Sequence, residues 1–259
     1  MLNSSVLIIN PFNTVFWLVT LFFLTLLLIA SLLMAKKNEK QKKTFFITVC
    51  LFTIIAYFLY KYELSLDSEF DLLRDFIGGF NWWGELPLQL CNINMLLIPI
   101  AVLFDIRPLK SFSFFAGTLG AAMALLMPGT GFENAPLFLP RILGYYGTHY
   151  MIVIEALGMV SFGFYRPKYG DMLKTLLTLM IIGFIIHLIN LAMRSSGLYD
   201  RANYFFTMET ENNFILEFLY QRIPCPYLYL LPLSPVFYLY MFLVTSCFEV
   251  PDKKRNGSL

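Results

Sequence analysis

Three side chains able to do chemistry, Cys91, His149 and His187, lie inside apolar stretches long enough to cross a bilayer. A thiol becomes a nucleophile when it loses its proton, and an imidazole is the usual group to take that proton. Reactive groups in hydrocarbon are costly to keep there, which makes them candidates for function. Asparagines accompany them. Gln89, Cys91, Asn92 and Asn94 point around most of one helix at 100° per residue, so that turn has no side it can turn to lipid without an unpaired amide. His187, Asn190 and Arg194 are spaced i, i+3, i+7 and make one polar stripe, while Tyr145 and Tyr146 stand one turn before His149 on its own face.

The elements that hold these groups follow from composition. With 58% hydrophobic, 17% aromatic and only 14% charged residues, the 259-residue chain falls outside the balance of a soluble globular domain. It reads as an all-α, polytopic integral membrane bundle. Seven apolar stretches act as candidate spans: 12–34, 44–62, 86–104, 111–127, 143–164, 173–193 and 227–247. No connection exceeds roughly 30 residues, which leaves no room for a separate soluble domain of ordinary size. Residues 1–259 are therefore one transmembrane domain, with a disordered tail expected over 254–259. The first stretch has no basic segment before it and is longer than a signal-peptide core, so it is expected to be a retained helix.

Basic residues fall in every second connection, beginning with Lys36, Lys37, Lys40, Lys42 and Lys43 and continuing through Arg107, Lys110, Arg166 and Lys168 to Lys253, Lys254 and Arg255. The alternate connections carry only Lys61, Arg74, Arg141, Arg194, Arg201 and Arg222, alongside the acids Glu63, Asp67, Glu69, Asp71, Asp75 and Glu85. This bias predicts an outside N-terminus and a cytoplasmic C-terminus in the cell membrane. The aromatic runs at Asn203–Phe206 and 214–219 fit either a segment lying at the interface or a plain amphipathic loop.

Orientation turns spacing into depth. The third stretch, starting near Leu86, puts Cys91 about five residues in, or roughly 7 to 8 Å. His149 enters to a similar depth on the fifth, and His187 returns to it on the sixth. One polar layer beneath the outer headgroups is expected, open toward the outer leaflet. Packing explanations compete with this picture. Intramembrane Asn and His link helices by hydrogen bonds of about 1 kcal/mol, and a single Cys in a span is commonly a small apolar packing residue. Cys225 is an alternative disulfide partner for Cys91. Glu155, near mid-membrane on a face other than that of His149, is expected to be protonated and bonded to a neighbouring helix, with a proton relay as the alternative.

The run Leu86-Pro87-Leu88-Gln89-Leu90-Cys91, followed by Ile98-Pro99, resembles the YwaF-like bacterial membrane proteins grouped with the transmembrane protein 164 acyltransferases. His149 after Gly147-Thr148, then Asn203-Tyr204-Phe205 and Pro224-Cys225-Pro226-Tyr227, add to the likeness, which covers most of the chain from the third stretch onward. Two positions depart from the pattern: Gln89 stands where many bacterial relatives carry His, and Cys225 where Trp is common. The resemblance implies a membrane acyltransferase that moves a fatty acyl group between glycerolipids without acyl-CoA, with Cys91 and His149 carried over as its cysteine and histidine.

Local chemistry accommodates those roles. Pro87 suits a first helical turn, placing Cys91 near the positive end of a helix dipole that favours thiolate, while burial opposes it. Gln89, Asn92 and Asn94 are the nearest amides for an oxyanion. His187, Asn190, Asn203 and Tyr204 are supporting or substrate-binding candidates, and Arg194, Arg201 and Arg222 suit a headgroup phosphate or are solvated loop charges. Membrane phospholipids are the expected donor and acceptor, with no metal, cofactor or nucleic acid. The alternative is a non-catalytic binding or transport protein in which His149 and His187 line a polar cavity for haem, an ion or a small solute. A structural subunit whose polar layer only packs helices is a third reading.

Overall fold

In the computed structural model, which describes residues 7–73, 79–129 and 131–256, the chain is an all-α bundle. Seven helices coincide with the seven apolar stretches: α1 (Thr14–Met34), α2 (Glu39–Leu64), α4 (Leu90–Leu103), α5 (Arg107–Leu126), α6 (Pro140–Ser161), α7 (Met172–Ser195) and α9 (Ser234–Asn256). Two short helices, α3 (Ser68–Leu73) and α8 (Phe214–Arg222), lie in connections. Helix α9 takes in part of the tail expected from residue 254, whereas 257–259, like Arg74 and Asp75, lie outside the described residues. A two-stranded antiparallel pair, β1 (Ile8–Ile9) with β2 (Ala135–Pro136), joins the start of the chain to the α5–α6 connection.

Capping explains where several helices begin. The Asn13 side chain accepts from the Phe16 N–H at 2.8 Å to start α1. Asn38 and Gln41 cap α2 reciprocally, each side chain meeting the other's backbone N–H. Pro108 and Pro140 sit in the first turns of α5 and α6, where a missing N–H costs nothing.

By length and apolarity, five of the helices can cross a membrane, and α4 is a shorter apolar helix. Its 14 residues span about 21 Å against a hydrocarbon thickness of about 30 Å. The expected third span is therefore only partly helical. Residues 86–89 precede the helix in non-helical conformation, and such backbone survives at membrane depth only where protein surrounds it. Pro87 is buried, in keeping with that requirement, but lies before the helix and not in its first turn.

Helices α2, α4, α5 and α6 pack on one another as the centre of the bundle, with α1 laid on α6 and α7 joined to α5 and α9. The turn bearing Asn92 and Asn94 is thus central, as its ring of amides requires. Helix α1 faces outward along nearly its whole length, with only Phe16 buried. It is tied to α6 by Thr20–Tyr150 at 2.5 Å and Ser31–Ser161 at 3.0 Å, and by Phe23 stacked on Tyr150. Arg141 in the first turn of α6 bonds Asp67 at 2.8 Å and Glu69 at 3.0 Å. Although partial burial pushes the Asp67 carboxyl upward, the Arg141 bond holds it below its ordinary value.

Candidate functional site

Cys91 is the second residue of α4, closer to the helix start than the expected five residues in. No side chain caps this terminus. The Gln89 amide oxygen is occupied instead by the Phe205 N–H at 3.0 Å. The first N–H groups of a helix have no intrahelical acceptor, and those of Cys91 and Asn92 fall in this turn. Helix α5 comes close at this point: a methyl on Gly120 would lie 3.4 Å from the Cys91 nitrogen. Cys91 is partly buried against a cluster that includes Tyr57, Tyr60, Met95 and Tyr146, with Tyr145 packed on it as well.

His149 belongs to the same neighbourhood. It is 5% exposed, and its ring lies 4.4 Å from that of Tyr145. Its Nδ1 is 2.7 Å from the Tyr145 carbonyl. A carbonyl only accepts, so Nδ1 carries the proton and Nε2 is left as the lone-pair nitrogen. The Tyr145 hydroxyl donates to the Ala124 carbonyl at 2.8 Å. Tyr146 is buried with its hydroxyl unpartnered.

The sequence reading missed a cation. Lys61 was placed among outer-loop charges, yet it lies in the last turn of α2, 6% exposed. It pairs with Glu85 at 2.6 Å and lies over the rings of Tyr57 and Tyr60. The Tyr57 hydroxyl donates to the Glu85 carbonyl at 2.8 Å, closing a ring around the pair. Tyr57 and Tyr60 belong to the cluster against which Cys91 packs, and this brings Lys61 to the same neighbourhood. The spacing of Tyr57, Tyr60 and Lys61 on one helical face, with Glu85 directly before Leu86-Pro87, was the available signal.

His187 stands elsewhere. It stacks on Tyr227 with ring centroids 5.6 Å apart, and its Nδ1 is buried without a partner among the described residues. The rest of the stripe it begins is taken up by hydrogen bonds within the protein. Asn190, fully buried, donates to the Tyr204 carbonyl and the Thr207 hydroxyl and accepts the Tyr204 N–H. Arg194 bonds the Ala202 carbonyl and Glu209, and Asn203 clamps residues 208–211. These residues hold the 202–211 segment in place. Tyr204 is buried with its hydroxyl unpartnered. Arg222 lies over the Phe218 ring.

Among the expected oxyanion amides, Asn94 spends its NH2 on the Leu90 carbonyl at 2.7 Å. Its Oδ1, like that of Asn92, is buried and unpartnered. Glu155 accepts from the Thr53 hydroxyl of α2 at 2.5 Å, the interhelical bond expected of it. All four cysteines are free, so no bridge joins Cys91 to Cys225. Two cavities lie away from Cys91 and His149: an apolar groove between α7 and α9 beside Leu176 and Tyr238, and a polar one at the lysine-rich end of α2.

The sequence profile of the TMEM164 family matches residues 10–245, nearly the whole chain. The chain belongs to the TMEM164 family. That match takes in all seven long helices except the end of α9, and with the apolar helices it makes the chain a multi-pass membrane protein. No curated protein and no solved structure matches it.

Proposed function

We propose that this protein is a membrane-embedded acyltransferase that moves a fatty acyl group between glycerolipids through a thioester on Cys91, without acyl-CoA. The observation that carries the reading is a thiol in the uncapped first turn of α4 beside a buried histidine whose tautomer leaves the lone pair on Nε2, with Tyr145 packed both on the His149 ring and on the cluster that Cys91 joins. In the first half-reaction Cys91 Sγ attacks the ester carbonyl of a donor phospholipid while His149 Nε2 takes the thiol proton. The tetrahedral intermediate collapses, the carbon–oxygen ester bond breaks, and His149 returns the proton to the departing lysolipid oxygen. In the second half, His149 Nε2 removes the proton of an acceptor hydroxyl, whose oxygen attacks the thioester and releases the Cys91 thiol.

Donors for the oxyanion must be in place beforehand. The N–H groups in the first turn of α4, which have no intrahelical acceptor, fit this role, whereas the Asn94 NH2 is given to the Leu90 carbonyl. Lys61 supplies positive charge beside both thiolate and oxyanion. The alternative His-lined cavity has less support, because His149 and His187 stand in separate environments.

The test is incubation of the protein in vesicles of radiolabelled phospholipid. A hydroxylamine-sensitive acyl adduct should form on wild-type protein and be missing in Cys91→Ala, with folding retained. Transfer by Cys91→Ser and His149→Ala at the wild-type rate would overturn the assignment.

A further inference from the structure

The polar cavity of about 490 Å³ at the opposite end of α2 has no part in that chemistry. Lys43 and Lys61 are 18 positions apart on one helix, or about 27 Å, close to the thickness of the hydrocarbon core. Three lysines line it, Lys42 and Lys43 from α2 and Lys110 from α5, together with Glu39 and Asp105. Three ammonium groups against two carboxylates leave one net positive charge.

Each ammonium has three N–H donors, and the structure uses few of them. Lys110, 6% exposed, bonds Asp105 and the Phe164 carbonyl. Lys43 gives one bond, to the Leu103 carbonyl at 2.9 Å. Lys42 has no ion-pair or hydrogen-bond partner among the described residues. One wall is apolar, formed by Val102 and the rings of Phe162 and Phe164, and Gly163 opens the other with empty space where a Cβ would stand.

We propose that this cavity binds the phosphodiester headgroup of an anionic glycerophospholipid. A phosphodiester carries a single negative charge, which balances the lining, and its oxygens accept from the spare lysine donors. The apolar wall suits the glycerol and the beginning of the acyl chains, which a free phosphate lacks. Basic pockets between membrane helices on the side rich in lysine take such headgroups, and the lysine-rich α1–α2 connection marks this end as that side.

The test uses the full-length protein, delipidated in detergent, and reads bound lipid by native mass spectrometry with phosphatidylglycerol or phosphatidylcholine added. Wild type should retain phosphatidylglycerol in preference. Lys42→Gln should lower that preference about fivefold, the worth of one lysine near a lipid phosphate. Lys42 supports no other residue, so this variant should fold. Lys36→Gln removes the same charge from the adjoining α1–α2 connection, outside the cavity, and should leave the preference unchanged. Equal loss in the two variants would reduce the effect to diffuse attraction and overturn the site. Equal retention of both lipids by wild type would do the same, as would displacement of phosphatidylglycerol by inorganic phosphate at matching concentration.

Discussion

The proton on His149 Nδ1 is fixed by one hydrogen bond to a carbonyl four residues back in its own helix, and that bond leaves the lone pair on Nε2. Lys61 is buried and paired with Glu85. Removing one member of a buried ion pair costs about 3–5 kcal/mol because the other is left without its counter-charge, whereas replacing both by apolar groups is often mild. Lys61→Met should therefore lower thermal stability sharply, and Lys61→Met with Glu85→Leu should recover most of it. If Lys61 also stabilises charge at Cys91, the recovered double variant should still transfer acyl groups at least about tenfold more slowly, the cost of roughly 1.4 kcal/mol of lost transition-state stabilisation. Thermal unfolding measured beside adduct formation separates the two effects, and a double variant with full activity would remove Lys61 from the mechanism.

Helix α4 shows why element boundaries escaped sequence reasoning while element existence did not. Its apolar run is plain, but Pro87 signalled a start three residues early, and the Gln89 side chain at the true start accepts from Phe205, 116 positions away, instead of capping the helix. No local pattern carries that bond. Close approach between α2 and α6 is a second element-level fact. A Cβ at Gly144 would fall 2.2 Å from the Tyr60 ring and 2.6 Å from its Cβ, so the residue must be glycine for the two helices to meet. Gly144→Ala should destabilise the protein by about 1–3 kcal/mol, the usual range for overpacking. It should also impair adduct formation, since Tyr60 lies under Lys61 and Gly144 precedes Tyr145, whose carbonyl fixes His149. Unfolding of the purified variant against wild type checks the first effect; an unchanged midpoint would mean that α2 shifts without cost.

At the scale of the whole molecule, the two ends of the bundle differ in chemistry. One end gathers Cys91, His149 and the Lys61–Glu85 pair, and the other carries the lysines around the α2 start. Charge bias assigns the first end to the outside. In sealed cells, a membrane-impermeant maleimide should label the exposed Cys225 directly. It should label Lys37→Cys in a Cys225→Ser background only after the membrane is opened. The reverse pattern would invert the orientation and put the proposed thioester chemistry in the inner leaflet.

Sequence by itself determined the class of the protein, its seven helical stretches and the centrality of the turn at Asn92 and Asn94, because burial in lipid constrains composition and polar placement along each helix separately. It also brought Cys91 and His149 forward through residue type and depth. Only the tertiary structure decided which polar groups share a neighbourhood. Azimuth around a helix and contacts between distant segments set that outcome. They brought Lys61 to the cluster against which Cys91 packs, left His187 against Tyr227, and committed Asn190, Arg194 and Asn203 to holding a loop. Hydrogen-bond partners in a membrane protein are chosen across helices, so the roles of polar residues are settled by packing and cannot be read from their spacing alone.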